Sequence, residues 1–416
     1  MHIIDHKRHG LGRRNTRHGN TFIRSLCLFT AIALLGYSGL VGVRFFMPVP
    51  QLKPASKYLS RPSEAVTLTW PAYGQSAAGE LASGLLASTA AQTPRPIASV
   101  SKVMTALAIV RAKPLQKGQA GPTITLTAAD VQIYNNYISN DGSVVKVVAG
   151  EKITQYQALQ AMLLPSANNM ADTMASWAFG SVMEYTKFAN SLAISLGMKQ
   201  TTIADASGFS PATVSTANDV LLLGQAALKE PVIAEIVNQS SAIIPVQGEI
   251  RNVNYLLGTG GINGIKTGNT EEAGGCFLVS ASRTLSNGQK KTILAVILGA
   301  PSRNLAINDS RKIITQVEQN YVSILVAKAG QVVGYYSSDW GQTVPAVIRT
   351  DLSVLGWKGA AIKPQIQLGN VSTPTLKGAK VGTVSVAGQR VKSDVVLQSD
   401  LQVPSARWRL NRATQF

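Results

Sequence analysis

The alternation of apolar and polar positions changes its rhythm several times along the chain. Ser25–Val43 runs for about 19 residues without a charge, close to the ~20 that a helix needs to cross a bilayer. Residues 44–65 then scatter Pro48, Pro50, Pro54 and Pro62 among polar positions, which predicts a linker. From about 66 to 328 the rhythm is mixed. Helical spacing marks Ser99–Ala112, Thr154–Leu164 and Met170–Phe179, and again Asp309–Ala327. Cys276-Phe277-Leu278-Val279 and Thr292–Val296 flank Asn287-Gly288, the pattern of a β-hairpin. After about 330, short alternating runs such as Pro364–Leu368 and Val381–Val386 are separated by Gly and Pro, which predicts a small β domain. The expected architecture is α+β. A transmembrane helix at 25–43 and a linker at 44–65 precede a domain at 66–328, in which an antiparallel sheet is flanked by a helical cluster. A β-rich domain at 329–416 follows.

Charge orients this scheme. Residues 1–24 hold Lys7, Arg8, Arg13, Arg14, Arg17 and Arg24 against Asp5. Positive charge before an apolar span keeps that side in the cytosol, so 1–24 is expected as a cytosolic tail and the rest as extracytoplasmic. A cleaved leader would share the pattern, with Gly36-Tyr37-Ser38 as its small-residue site. The length of the uncharged run and the lack of an A-x-A site favour an anchor. The formal net charge is +18, and seven basic residues against one acid in the first 44 positions leave +12 on the remainder. That excess suits anionic surfaces such as lipid headgroups or acidic wall polymers. No dense Lys/Arg run carries interleaved aromatics, so nucleic acid is not an expected partner.

Two residue types exclude chemistry. The histidines are His2, His6, His9 and His18, with none beyond. A Ser-His-Asp or Cys-His site, or a histidine-ligated zinc, is therefore ruled out for the folded region. Cys27 lies in the apolar run and Cys276 in the hairpin, so no disulfide is expected.

Three clusters supply another chemistry. Ser99 and Lys102, in Pro96-Ile97-Ala98-Ser99-Val100-Ser101-Lys102, share one face if helical. A lysine buried beside a serine loses its proton more readily and can serve as that serine's general base. Val100, Val103, Met104 and Leu107 supply the burial. In Leu164-Pro165-Ser166-Ala167-Asn168, Pro165 ends a helix and leaves Ser166 and Asn168 on a turn. Ser166 can relay a proton, and the Asn168 amide offers a donor and an acceptor to a peptide bond. In Gly264-Ile265-Lys266-Thr267-Gly268-Asn269, a strand carries Lys266 and Thr267, suited to a carboxylate, while Gly268 admits a substrate backbone. Each triplet alone is equally a cap, a turn or an edge strand. Their occurrence together, in the order S-x-x-K, S-x-N, K-T-G, points to lysine-based serine catalysis.

With these motifs the chain resembles the low-molecular-weight penicillin-binding proteins of the D-alanyl-D-alanine carboxypeptidase family. The likeness runs from about Val66 to Val326 and includes Leu196-Gly197-Met198, Asp205-Ala206-Ser207-Gly208, Ser215–Asp219 and Ala273–Cys276. The resemblance implies a penicillin-binding or transpeptidase-like fold. It implies that Ser99 attacks the carbonyl between two D-alanines of the peptidoglycan stem peptide, with Lys102 as base. Ser166 and Asn168 would relay protons and align substrate. Lys266 and Thr267 would hold the terminal carboxylate, and the Ser99 and Asn269 N–H groups would form the oxyanion hole. β-Lactams would act as inhibitors, and no metal or organic cofactor is expected. One departure touches the carboxylate site. The family's arginine after Leu298-Gly299-Ala300 falls on Ala306, and Arg303 is the nearby substitute. The C-terminal Trp408–Phe416 is short for a membrane-binding helix, which leaves membrane attachment to the N-terminal segment. A DD-endopeptidase would use the same residues. A class A β-lactamase would need a water-activating glutamate, and no E-x-x-L-N occurs. A non-catalytic wall-binding protein would not need three intact motifs.

Overall fold

A computed structural model describes residues 17–415, with side chains from residue 21 onward. Residues 1–16 of the expected cytosolic tail lie outside the described residues. The chain forms two compact units. One holds residues 17–62 with 325–354 and 362–415; the other holds 63–324 with 355–361.

Helix α1 (Arg17–Phe46) is apolar, reaching a mean hydropathy of 2.0 over an 18-residue stretch within Thr21–Phe46, and is long enough to cross a membrane. It extends beyond the expected 25–43 at both ends, because Arg44 and Phe45 continue the turn without a breaker before Pro48. The linker expected at 44–65 is corrected in its middle. Leu52 bridges to Val371, and Pro54–Ser56 is a strand, β1. Proline is tolerated there because an edge strand leaves one row of N–H positions unpaired.

The second unit carries the site. Strands β2 (Gln75–Glu80) and β3 (Gly84–Ser88) precede the helices. A 3-10 turn over Ala98–Ser101 leads into α2 (Lys102–Ala112). Then follow α3 (Ala128–Ile138), α4 (Gln155–Leu163), α5 (Asn168–Phe179), α6 (Val182–Ser195), α7 (Ala217–Leu228) and α8 (Pro231–Val237). The chain returns to the sheet as β4 (Ile262–Thr270), β5 (Gly274–Thr284) and β6 (Lys290–Ala300). The strand order is β4-β5-β6-β2-β3, antiparallel throughout. The hairpin read around Asn287-Gly288 is β5–β6. Side-chain alternation splits the core between the two sheet faces. Leu278, Leu294, Val296 and Leu298 join the helical cluster around α2, α5 and α7. Phe277, Val279, Ile293, Ala295 and Ile297 pack on the other face under α9 (Arg303–Gln319). Each fully buried Val, Leu, Ile or Phe among these contributes roughly 1.5–3 kcal/mol.

The helix expected over Asp309–Ala327 is corrected. α9 begins earlier, where the Ser302 hydroxyl accepts from the Leu305 N–H at 3.2 Å. It ends at Gln319, and Tyr321–Ala327 is a strand, β7. Tyr321, Val322, Ile324 and Val326 are residues that favour pleated surfaces, and they override the apolar spacing inherited from α9.

The first unit continues as β8 (Val332–Ser337), β9 (Thr343–Ile348), β10 (Pro364–Leu368), β11 (Lys380–Val386) and β12 (Lys392–Leu397), closing with α10 (Ala406–Thr414). Its six-stranded sheet has the order β1-β8-β9-β12-β11-β10. The α10 guanidinium groups cap the end of α1. Arg412 donates to the carbonyls of Arg44 and Met47, and Arg409 to that of Phe45. Cations there complement the negative end of a helix.

Candidate active site

Ser99 sits in the 3-10 turn, not inside the α-helix, and Lys102 is the first residue of α2. The tighter winding still puts residues three apart on one side. Lys102 is fully buried. Its Nζ lies 2.8 Å from Ser99 Oγ, 2.6 Å from Asn168 Oδ1 and 2.7 Å from the Ser207 carbonyl. Burial pushes its pKa from 10.5 down to about 7, opposed by the negative charges of Asp205 and Asp172. The amine can therefore be neutral near pH 7.

Pro165 follows the end of α4, and Asn168 opens α5. This turn brings the Asn168 amide to Lys102. Ser166 is buried with φ 69°. Among the described residues its hydroxyl makes no hydrogen bond, to Lys102 or to any other group.

Strand β4 runs beside the 3-10 turn. A Cβ on Gly268 would stand 3.0 Å from Ser99 N, Ala98 Cβ and Ile97 O, so a side chain there would press on the nucleophile's backbone. Lys266 and Thr267 precede it, both buried. Lys266 Nζ donates to the Thr267 carbonyl at 3.0 Å. Its pKa is driven well below 10.5 by burial, then by the charges of Lys102 and Arg303.

A cleft of about 530 Å³ opens over Ser99, lined also by Asn168, Ser143, Phe209 and Asn269. Ser99, Asn168 and Asn269 thus share one cleft, with Lys102 behind them. Arg303 is exposed at the start of α9 and is not among the lining residues, nor is Ser166. Ala306 is buried on the inner face of α9, so a long side chain in that slot would meet the core.

Several parts of the site were not assigned from the sequence. In the sequence the Asp205–Gly208 segment carries only a family likeness, yet Ser207 supplies Lys102 with its third partner. Gly208 makes that approach possible. It has φ 72°, and a Cβ would fall 2.0 Å from the Ala98 carbonyl oxygen. The Asp-x-Ser-Gly run is turn chemistry, a signal for a tight loop but not for where the loop lands. Glu271 and Glu272, on the β4–β5 turn, also line the cleft.

Comparison with known proteins covers the stretch of chain that holds this cleft. The family model of D-alanyl-D-alanine carboxypeptidase matches residues 79–302. D-alanyl-D-alanine carboxypeptidase DacF of Bacillus subtilis is 27% identical over 300 residues, covering 69% of this chain and 74% of the relative. A D-alanyl-D-alanine endopeptidase of Pseudomonas aeruginosa is 27% identical over 263 residues, covering 61% and 80%. Among solved structures, the Streptomyces K15 DD-transpeptidase aligns with a TM-score of 0.54 at 24% identity, covering 60% of this chain and 98% of its own. A second, PBP3 of Streptococcus pneumoniae, gives 0.55 at 19%, covering 79% and 99%. These two show the shared fold. The α+β fold with a penicillin-binding and transpeptidase-like core is the one expected above. The chain belongs to the D-alanyl-D-alanine carboxypeptidase family, and is a serine peptidase of the penicillin-binding type.

Proposed function

We propose that this protein removes the terminal D-alanine from peptidoglycan stem peptides through an acyl-enzyme on Ser99. The observation that carries the reading is the contact of Ser99 Oγ with the buried amine of Lys102 at 2.8 Å, at the floor of the cleft. With Lys102 neutral, the Ser99 hydroxyl donates to the amine lone pair. As Oγ bonds to the carbonyl carbon, its proton passes to Lys102. The C–N bond to the last D-alanine then breaks and its nitrogen receives a proton. Water completes hydrolysis and frees Ser99. Developing charge on the carbonyl oxygen is met by the Ser99 and Asn269 N–H groups, beside Gly268. Asn168 holds both Lys102 and the substrate amide. Ser166 is assigned the relay to the leaving nitrogen, which requires its hydroxyl to engage when substrate is bound. Lys266, Thr267 and Arg303 are assigned to the departing residue's carboxylate. The peptidase domain of this reading is 66–328, and 329–416, apart from 355–361, supplies most of the β-rich unit that β1 completes.

Purified full-length protein is expected to release D-alanine from a pentapeptide ending in D-Ala-D-Ala. Amidation of that end should cut the rate at least about tenfold, the loss of one charge-assisted interaction. Equal rates would remove the carboxylate assignment. Cleavage of cross-linked dimers instead of the pentapeptide would favour endopeptidase action, a reading supported by the similarity to the Pseudomonas endopeptidase.

The apolar α1 is assigned as an uncleaved single span, N-terminus inside and the catalytic domain outside. Protease added to intact spheroplasts should digest the region after residue 44. Protection of that region would reverse the topology, and a mature N-terminus beyond residue 36 would make α1 a leader.

A further inference from the structure

Behind Lys102 lies a half-buried polar network that the reaction as described does not use. Two carboxylates, Asp205 and Asp172, act on the amine through their charge, and they are held very differently. Asp205 accepts four hydrogen bonds, from Ser207 Oγ, Phe209 N, Ser210 N and Thr213 Oγ1. Asp172, on α5, accepts one, from the Tyr137 hydroxyl at 2.8 Å. Its other oxygen is buried with no partner. The Tyr137 oxygen also lies 3.1 Å from Ser207 Oγ. Ser207 is the residue whose carbonyl holds Lys102 Nζ. Contacts therefore run without a break from Asp172 through Tyr137 and Ser207 to the amine.

We propose that Asp172, gripped by Tyr137, is a positioning residue for Lys102: its carboxylate sets how readily the amine gives up its proton, and the Tyr137–Ser207 contact fixes the carbonyl from which the amine hangs. The inference rests on Lys102 being the base.

An unpartnered buried carboxylate oxygen is costly, and such groups in native structures tend to have a function. Here the negative charge favours the ammonium form of Lys102, so it moderates the fall in pKa that burial causes. Burial raises the Asp172 carboxyl from 3.8 to about 6, with Tyr137 and Lys102 opposing that rise and Asp205 adding to it. A carboxylate poised near working pH by one hydrogen bond is open to adjustment, whereas Asp205 is tied on both oxygens. The other ionisable groups facing this region are Lys266 from β4, which interacts with Lys102, and Tyr185 from α6, bonded to Thr105. Asp130 of α3 faces α5 but is occupied by Thr127 and Thr173.

The sign is fixed by these observations. Removing the Asp172 charge makes Lys102 lose its proton more easily, so the acid limb of acylation moves to lower pH. Asp172→Asn is expected to shift that limb down by about half a pH unit or more. Its plateau should fall as well, because a weaker base accepts the proton less well. Tyr137→Phe removes the bond that keeps Asp172 ionised, so it should shift the limb in the same direction. Adding Asp172→Asn to it should bring little further change. The measurement is the second-order rate of penicillin acylation between pH 5 and 9, on full-length protein, each variant scaled to its own plateau. A merely structural role lowers the plateau and leaves the limb in place. If the limb stays put in Tyr137→Phe, the inference is wrong, even should Asp172→Asn fail to fold. A movement to higher pH in either variant also overturns it. Failure of the underlying reading is separate, since it would show as normal acylation of Lys102→Arg.

Discussion

Exposure of the full-length protein to a penicillin is expected to add one penicilloyl group per chain, and Ser99→Ala is expected to abolish the adduct. The expectation follows from access and from the base. Ser99 lines the cleft and is the serine in contact with a buried amine. Ser143 and Ser210 also line the cleft, but Lys102 reaches neither, its contacts being Ser99, Asn168 and Ser207. Ser101 is fully buried and its hydroxyl has no partner. The reaction conserves atoms: Oγ bonds to the lactam carbonyl carbon, the ring C–N bond opens, and the hydroxyl proton ends on the former lactam nitrogen. The adduct therefore has the mass of the whole antibiotic. Without the E-x-x-L-N glutamate that activates water in a class A β-lactamase, it should persist for minutes. Intact-protein mass spectrometry reads both the adduct and its decay. Ser99→Ala removes one hydroxyl from a half-buried position, so thermal unfolding should change little and serves as the control. An adduct that survives the substitution would place the nucleophile elsewhere. Rapid turnover of the penicillin would instead revive the β-lactamase alternative and direct attention to Glu271 and Glu272.

The parts of the site that lie close together in sequence were legible there. Ser99 and Lys102 are three apart, and a single turn of either helix type joins them. The β5–β6 hairpin announced itself by two apolar runs around Asn287-Gly288. What could not be read was which distant loop meets the amine. Ser207 contacts Lys102 across 105 residues, and nothing in Asp205-Ala206-Ser207-Gly208 states its destination. Only the packing of Gly208 against the Ala98 carbonyl does so. Asp172 is hidden for a similar reason. On α5 it reads as an ordinary polar position, and its proximity to Tyr137 arises from the packing of α3 on α5. The error over Asp309–Ala327 has a local cause. Apolar residues at helical spacing continue past Gln319, and a periodicity argument does not register that β-branched and aromatic residues have replaced helix formers. The edge strand at Pro54–Ser56 was missed because prolines mark linkers and edge strands alike.

Lys102→Arg is expected to slow acylation by a factor of at least about 100, the low end for loss of a general base. Arginine keeps the positive charge and can donate to Asn168 and the Ser207 carbonyl, but it does not give up a proton in proteins. The substitution thus separates the charge of residue 102 from its basicity. The wild-type pH profile carries the same information. With its pKa pushed down to about 7, Lys102 is half neutral near that pH. Acylation should rise as pH climbs through about 7 and level off above it. In Lys102→Arg the residual rate should lose this limb, because no group at that position titrates. Stability gives an independent sign. The native amine binds its proton less tightly than the unfolded one. Between about 7 and 10.5 the unfolded chain therefore holds more protons at this position. Folding is favoured as pH rises through that window, and the contribution is lost as pH falls through the folded value. Lys102→Arg should lack this gain and should unfold at lower temperature than wild type, since its buried charge cannot be relieved by deprotonation. The protein is compared at pH 6 and pH 9 by thermal unfolding, alongside penicillin acylation at both. Near-normal acylation in a folded Lys102→Arg protein would show that another group takes the Ser99 proton, whatever the geometry around Nζ.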